Sequence, residues 1–95
     1  MDKGRWDHTF HLRCCYVQGN GLEFSRIMVS VPKRHFKRAV KRNLLKRRIR
    51  EAYRLQKELL PAGFDLMFVF SAAEVADFAV IRDEVAELLK RIAAR

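Results

Sequence analysis

The residues of this sequence best able to do chemistry are cations, and they lie together in one segment. The 95-residue chain has 20 Lys and Arg against 11 Asp and Glu, a net charge of +9. Residues 33–54 hold eleven of these cations and a single acid, Glu51, so this segment carries +10 and the rest of the chain −1. Such a localised cationic block on a nearly neutral chain is typical of a protein that binds a polyanion.

Other kinds of chemistry find little support in the sequence. Cys14 and Cys15 are adjacent, which suits neither a disulfide framework nor a zinc site, and we interpret them as reduced packing residues. The histidines His8, His11 and His35 lack metal-ligand spacing, and no Cys-His-Asp arrangement indicates nucleophilic catalysis. We therefore predict no catalytic residue, no metal ligand and no organic cofactor in this chain.

Length and hydropathy limit the class of protein. A chain of 95 residues suits one domain, which we predict to span residues 1–95. The hydrophobic fraction of 49% is too high for a disordered chain. No apolar run approaches the roughly 20 residues that cross a bilayer, and the first eight residues lack the apolar core of a secretory signal. We expect a soluble, cytoplasmic, globular protein with no membrane partner.

The elements that must position the basic block begin with strands. Alternating apolar residues predict a strand over residues 9–17, and a second is predicted over residues 26–31. A Gln-Gly-Asn-Gly turn signal separates them, so we expect the two strands to form a hairpin. The nearly continuous apolar run over residues 64–70 predicts a central strand buried on both faces. One face of the first strand would carry Phe10, Leu12, Cys14 and Tyr16.

Two helices complete the predicted architecture. Residues 36–60 contain no Gly or Pro and predict a long helix that stops at Pro61. A second helix should run from Asp77, a plausible N-cap, to Ala94, with apolar residues recurring three and four positions apart. The order strand, strand, helix, strand, helix predicts an α+β fold, a two-layer sandwich of a small mixed sheet and the helices packed on it.

The long helix separates apolar from basic residues. At about 100° per residue, its core stripe consists of Leu45, Ile49, Ala52, Tyr53, Gln56, Leu59 and Leu60. Roughly the opposite side carries Asn43, Lys46, Arg47, Arg50 and Arg54. The preceding loop and first turn extend this charge with Lys33, Arg34, Lys37 and Arg38. A membrane-surface helix is disfavoured because the apolar stripe is needed against the sheet, and the abundant arginine suits bidentate phosphate contacts.

The residue chemistry alone favours RNA as the polyanion. A merely solvated basic face usually mixes Glu with Lys, and this face does not. Nothing in the sequence resembles a helix-turn-helix, a zinc finger or a leucine zipper. An arginine-rich helix with few base-discriminating side chains favours recognition of backbone and shape, which is typical of structured RNA.

One segment also resembles a known family. Residues 39–54, Ala-Val-Lys-Arg-Asn-Leu-Leu-Lys-Arg-Arg-Ile-Arg-Glu-Ala-Tyr-Arg, are similar to the signature of the bacterial ribonuclease P protein component, and the Pro-Lys-Arg-His-Phe-Lys run before them resembles a form found in some branches. The resemblance covers roughly residues 8–95. It implies the ribonuclease P protein-like fold, with a left-handed βαβ crossover. It also implies a protein that binds a catalytic RNA and helps it remove the 5′ leader of precursor tRNA, the hydrolysis being done by the RNA with bound Mg²⁺.

The resemblance also implies site residues. The RNA-binding set would be Lys33, Arg34, Lys37, Arg42, Asn43, Lys46, Arg47, Arg50 and Arg54. The leader would lie in a cleft lined by Cys14, Tyr16, Lys46 and Arg50, where Tyr16 would stack on an unpaired base unless it is a core residue. Family members usually begin with an additional N-terminal helix that helps form this cleft. We expect that helix to be missing from this sequence, because the chain starts near the first strand: either the true start lies upstream, or this member is shortened and binds the leader more weakly.

Two other functions are compatible with parts of this pattern. A structural RNA-binding protein of ribosomal type would need the same basic helix but would have no role in RNA processing. A free-standing nuclease is disfavoured because the sequence offers no candidate acid, base or metal ligands. Stimulation of a catalytic RNA is the property that separates the first alternative from a ribonuclease P subunit.

Overall fold

The chain folds into four strands and two helices, which a computed structural model describes over residues 4–94. The elements in chain order are β1 (Arg5–His8), β2 (Leu12–Gln18), β3 (Arg26–Ser30), α1 (Ala39–Gln56), β4 (Phe64–Phe70) and α2 (Phe78–Ala93), with a short 3₁₀ turn at Lys57–Leu59 after α1. The ends of the predicted 1–95 domain, residues 1–3 and 95, lie outside the described residues. The α+β architecture expected from the sequence, a mixed sheet with two helices, is confirmed.

The sheet has the strand order β1-β2-β4-β3. β2 pairs antiparallel with both β1 and β4, whereas β3 pairs parallel with β4. The predicted hairpin of the strands over residues 9–17 and 26–31 is therefore wrong, because β4 lies between them and β2 forms its hairpin with β1. The strongly apolar β4 takes a central position, where it has a neighbour on each side. β3 and β4 are joined by a crossover that contains α1, and its left-handedness stays a prediction.

Only one face of the sheet is covered by the helices. The register aligns Leu12 with Phe70, Cys14 with Phe68 and Tyr16 with Leu66, and all six side chains are buried. β4 alternates between buried and half-buried residues, so the predicted burial on both of its faces is wrong. Phe10 is also misplaced by the sequence pattern: it lies in the β1–β2 turn and is 80% exposed.

The uncovered face of the sheet is called the open face below. The register places Trp6 beside Cys15 and Cys15 beside Met67, with Met28 next to Met67 on the far strand. Because side chains alternate along each strand, the neighbouring Arg13 on β2 belongs to the same face. The open face is thus defined by Trp6, Arg13, Cys15, Met28 and Met67 and forms a row that runs across all four strands.

Both helices pack on the covered face through apolar stripes. In α1 the buried residues are Leu45, Ile49 and Ala52, as the helical period predicts. In α2 they are Ile81, Val85, Leu88, Leu89 and Ile92, and the first residue of the helix, Phe78, is half-buried against this core. α1 begins at Ala39 rather than at residue 36, because Phe36 is buried as part of the core and Arg38 is still extended. Over residues 4–94, neither helix combines the length and the apolar character that a bilayer crossing requires.

Candidate nucleic-acid interface

The side of α1 that faces away from the sheet carries the predicted RNA-binding residues. Asn43, Arg47 and Arg50 are exposed, and Lys46 is half-buried at the edge of this surface. Among the ion pairs of residues 4–94, none involves Arg47 or Arg50. Their guanidinium groups are therefore available to phosphate oxygens, which arginine can contact through two parallel hydrogen bonds. We call this surface, formed by Asn43, Lys46, Arg47, Arg50 and Arg54, the basic face.

Arg54 differs from the other arginines of the basic face because it has a carboxylate partner. Its Nε and Nη2 donate to the two carboxylate oxygens of Glu51, at 3.0 and 2.5 Å. The hydrogen bond from Arg54 lowers the pKa of Glu51, and the same bond raises the pKa of Arg54. Both groups are exposed to solvent, and such pairs contribute little free energy. Arg54 is thus partly neutralised in the free protein but can be released by a competing phosphate.

Arg42 has a structural role that the sequence pattern did not reveal. Its Nη1 donates to the carbonyl oxygens of Phe36 and Lys37, at 2.7 and 2.9 Å. These two hydrogen bonds fold the loop before α1 back onto the helix. Arg42 therefore positions that loop, and part of its guanidinium is already used before any RNA arrives.

The loop that Arg42 holds extends the positive charge beyond the helix. Lys33, Arg34 and Lys37 are exposed, as the sequence predicts. A shallow groove runs between this loop and the segment that joins β4 to α2, and it is lined by Arg34, His35, Phe36, Lys37, Arg38, Lys41, Ala73, Glu74 and Val75. Its basic rim continues the basic face towards the N-terminus of α1, so the two surfaces together present an extended cationic area.

Arg48 lies in the same basic segment but belongs to the packing of the two helices. Its Nη1 donates to the carbonyl oxygen of Ala76 at 2.6 Å, and Gln56 Nε2 donates to the carbonyl oxygen of Arg82 at 3.0 Å. These contacts tie α1 to both sides of the α2 N-terminus. The flank of α1 between its apolar stripe and its basic face is therefore occupied by α2, which leaves the basic face itself uncovered.

The two strand residues of the predicted leader cleft lie in the core of the structure. Cys14 is fully buried and Tyr16 is 5% exposed, and both belong to the core between the sheet and the helices. Burial, and then the neighbouring Cys15 and Asp7, raise the pKa of the Cys14 thiol to about 12, so this thiol stays protonated. The alternative interpretation of Tyr16 as a core residue agrees with its burial. Lys46 and Arg50 lie on the outside of α1, and their contact with a leader stays a prediction.

The open face holds the accessible aromatic that the sequence analysis missed. Trp6, the single tryptophan of the chain, is 48% exposed, and the guanidinium carbon of Arg13 lies 4.8 Å from its ring centroid. At the other edge of the sheet Met28 is 65% exposed. A row across four strands is about 15 Å long, which is room for more than one unstacked base. The polar Arg13 between the buried residues Leu12 and Cys14 was the signal for this second face.

Of the two arginines that residues 4–94 place on this side of the sheet, Arg26 is paired with a carboxylate and Arg13 is not. Arg26 Nε and Nη2 donate to the carboxylate oxygens of Asp65, at 2.9 and 2.7 Å. The hydrogen bonds from Arg26 and then from Asn20 lower the pKa of Asp65 to about 2, so Arg26 remains neutralised at any ordinary pH. In contrast, Arg13 takes part in no ion pair of the described range 4–94. The free positive charge of the open face therefore lies beside Trp6.

Fold and site together define a class of protein. The chain is a small α+β protein with an exposed arginine-rich helix face and an exposed aromatic on the bare side of its sheet. Neither surface has the acid, base or nucleophile arrangement of a catalytic centre, and both suit nucleic acid. Within residues 4–94, no three His, Cys, Asp or Glu side chains are grouped so that they could hold a metal ion.

Comparison with known proteins identifies the family. The family model described as Ribonuclease P matches residues 2–93, and the chain belongs to this family, the bacterial ribonuclease P protein components. The chain is 42% identical over 78 residues to the ribonuclease P protein component of Thermotoga sp. (strain RQ2), a match that covers 77% of this chain and 66% of that relative. It is 38% identical over 94 residues to the Porphyromonas gingivalis (strain W83) protein, covering 90% and 69%. The chain thus matches just under two thirds of the length of the Thermotoga relative.

Solved structures agree with the fold. The ribonuclease P protein from Thermotoga maritima is similar with a TM-score of 0.84 at 28% identity, over 95% of this chain and 84% of that one. The Staphylococcus aureus protein is similar with a TM-score of 0.82 at 24% identity, which supports the fold alone. The resemblance noted in residues 39–54 is therefore confirmed at the level of family and of architecture.

Proposed function

We propose that this chain is the protein subunit of a ribonuclease P ribonucleoprotein. In this function it binds the catalytic RNA and the 5′ leader of precursor tRNA and assists the endonucleolytic removal of the leader. The observation that carries the proposal is the basic face: its arginines are exposed and mostly unpaired, and they lie within the segment that resembles the family signature. The cleavage chemistry belongs to the RNA, and this chain supplies affinity and orientation.

Electrostatics explains how the basic face would act. Arg47 and Arg50 repel each other and their neighbours in the free protein, so contact with phosphates removes an existing repulsion. Each arginine that contacts a phosphate also releases a condensed counterion, which makes the binding strongly dependent on salt. The loop cations Lys33, Arg34 and Lys37 would extend this contact, held in place by Arg42.

The leader is better placed on the open face than beside Cys14 and Tyr16. The leader is single-stranded, and unpaired bases bind by stacking on exposed aromatic rings with a cation nearby. Trp6 with Arg13 provides this arrangement, whereas Tyr16 is buried beneath α1 and α2. We therefore assign the leader to the row of open-face residues.

In the proposed function, the RNA partner binds the Mg²⁺. The described residues contain no cluster of carboxylates or imidazoles that could hold the ion, so no part of the reaction is ascribed to a metal on this chain. The action on precursor tRNA places the protein in the cytoplasm. No membrane partner is part of this function.

Reconstitution with the catalytic RNA tests the proposal. At low Mg²⁺, where the RNA alone is slow, addition of the protein should stimulate cleavage of precursor tRNA at the 5′ end of the mature sequence. The variant Arg47→Ala/Arg50→Ala should lose this stimulation at protein concentrations that saturate the native complex. Arg82→Ala/Lys90→Ala, which removes the same charge from the exposed side of α2, should retain it.

Three outcomes would separate the alternatives. Binding to the catalytic RNA without stimulation would favour a structural RNA-binding protein and would contradict the proposed function. Cleavage of precursor tRNA by the protein without the catalytic RNA would instead indicate a nuclease. Equal loss of stimulation in both double variants would show that total charge, and not the basic face, is responsible.

A further inference from the structure

The geometry points to Glu84 and Arg91 of α2 as positioning residues for leader recognition, because they clamp the edge strand β1 and so fix Trp6 on the open face. This inference rests on the proposed function, since it assigns a role at the surface where the leader was placed. It concerns a different part of the molecule, the side of α2 that faces the first hairpin, and neither residue contacts the open face itself.

β1 is the element of the sheet most in need of such support. It has four residues, and among the strands described over residues 4–94 it has a neighbour on one side only, β2. Arg5, Trp6 and His8 are exposed, so the strand buries little apolar surface of its own. A short edge strand with few buried contacts is expected to open locally at low cost. The contacts that other elements make with β1 therefore determine how mobile Trp6 is.

Glu84 holds the turn between β1 and β2. Its carboxylate accepts hydrogen bonds from Thr9 Oγ1, from the backbone nitrogen of His11 at 2.8 Å, and from the ring Nδ1 of His11. The His11 ring also lies against Phe10 on one side and Phe70 on another. The side chains of both Glu84 and His11 are mostly buried. One carboxylate thus receives three donors from a turn that it does not belong to.

Arg91 holds the strand itself, about two helical turns further along α2. Its Nη1 donates to the carbonyl oxygen of His8 at 3.0 Å and lies 3.5 Å from Oδ1 of Asp7. Glu87 accepts from Nε of the same guanidinium at 2.9 Å and keeps it oriented. Asp7 points to the helix side of the sheet, so its neighbour Trp6 must point to the open face. α2 therefore holds β1 from the covered face of the sheet, while Trp6 lies on the open face.

A fixed Trp6 ring favours leader binding, because any ordering of the protein that must occur on binding lowers the affinity. If β1 were free to move, binding a base to Trp6 would have to immobilise the strand as well as the base. The clamp removes that cost before the leader arrives. Its loss should weaken leader binding and leave the basic face of α1, which it does not contact, unchanged.

The test compares Glu84→Ala with Asp83→Ala. Asp83 is the adjacent residue of the same helix, is 74% exposed and pairs only with Arg82 among the described ion pairs, so its removal changes the charge equally without touching the hairpin. Holoenzymes reconstituted with each variant are assayed for affinity towards precursor tRNA and towards the same tRNA without its leader. Glu84→Ala should reduce the affinity ratio of the two substrates by about fivefold, the low end of one base stack. Asp83→Ala should leave the ratio within about twofold of the native value.

Trp6 provides a second readout that a general loss of stability would not give. As the single tryptophan, it reports on β1 alone through its fluorescence anisotropy and its quenching by acrylamide. In Glu84→Ala the ring should be more mobile and more readily quenched at a temperature where the far-UV circular dichroism is native. Glu84→Gln retains one oxygen that can accept from the turn, so it should fall between the native protein and Glu84→Ala.

The outcomes distinguish this inference from the proposed function. If Trp6→Ala lowers the affinity ratio but Glu84→Ala does not, the leader site stands and the clamp is refuted. If the leader adds no affinity even in the native holoenzyme, the leader part of the proposed function fails first. Parallel loss of binding to the catalytic RNA in Glu84→Ala would show a general structural role and overturn the inference. Should Glu84→Ala not fold, Arg91→Ala measured by the same ratio and the same fluorescence decides the question.

Discussion

The two helices lie on the same face of the sheet and bury comparable apolar stripes, yet their outer surfaces differ completely in charge. α1 carries seven Lys and Arg against one acid, whereas α2 carries three of each. Four of the six charges of α2 are paired within the helix, Arg91 with Glu87 and Arg82 with Asp83. Packing on this sheet therefore does not require a basic surface, as α2 shows. The positive charge of α1 is therefore not explained by packing, and this is the property expected of a binding surface.

The largest expected effects concern the buried apolar residues that both helices contribute to the core. Leu45→Ala in α1 and Leu88→Ala in α2 each empty a fully buried site in the same core. Each should lower the free energy of unfolding by about 2–5 kcal/mol, through lost burial and the remaining cavity. Denaturant titrations followed by circular dichroism measure both values. A small loss for one of the two would show that its helix contributes little to the core and would break the comparison.

The second prediction concerns what distinguishes the helices. Arg47→Ala/Arg50→Ala should weaken binding to the catalytic RNA by at least about 1.5–3 kcal/mol, the range for a single hydrogen bond to a charged group, and should flatten the salt dependence by about two units. Arg82→Ala/Lys90→Ala removes equal charge from α2 and should change neither quantity beyond its error. Filter binding at several salt concentrations measures both. An unchanged slope in the α1 variant would remove Arg47 and Arg50 from the phosphate contacts.

The same comparison explains which parts of the molecule were predictable from the sequence. α1 and α2 are long periodic segments, so the pattern located them and also separated the apolar stripe of α1 from its basic face. The basic site was therefore predictable because helical periodicity is local information. β1 was missed because Arg-Trp-Asp-His has no alternation, and the pairing of β2 with β4 depends on contacts far apart in the chain.

The burial of the two strand residues predicted to line the leader cleft was hidden for a related reason. Cys14 and Cys15 are both buried, and the alternation within β2 does not say which face the helices will cover. A shift of one residue in a strand exchanges the two faces, so the sequence did not reveal that Tyr16 faces the helices and Arg13 faces away from them. The roles of Arg42 and Arg48 were equally hidden, since their acceptors are backbone carbonyls that become neighbours only in the folded chain.

A third prediction sharpens the comparison within α1. Arg54 is paired with Glu51, whereas Arg50 is free, so Arg54→Ala should weaken RNA binding less than Arg50→Ala does. Removing the competing carboxylate in Glu51→Gln should strengthen RNA binding by about two- to threefold, in line with the small free energy of an exposed pair. Competition binding against the native protein resolves differences of this size. Weaker binding of Glu51→Gln would mean that Glu51 orients Arg54 for the RNA instead of competing with it.

The smallest expected effect compares the acids of the two helices through their pH dependence. Glu84 is partly desolvated, which by itself raises its pKa, but the hydrogen bonds from Thr9 and His11 outweigh this and lower the pKa overall. A carboxyl group with a lowered pKa in the folded state stabilises the protein above its unfolded pKa, and that stability is lost as the pH falls through the folded value. Melting temperatures measured from pH 6 down to pH 3 should therefore fall less steeply in Glu84→Gln than in the native protein, with a difference of about 4 °C or less.

Glu51 provides the contrasting case in the same titration. Its pKa is also lowered, by the hydrogen bond from Arg54, but both partners are exposed and the pair is screened by solvent and salt. Glu51→Gln should therefore follow the native melting curve through the acid range, although it alters RNA binding. If Glu51→Gln flattened the acid limb as much as Glu84→Gln does, the carboxylate of α1 would be a structural group too. The charges of α1 would then no longer differ in role from those of α2, which hold the β1–β2 hairpin.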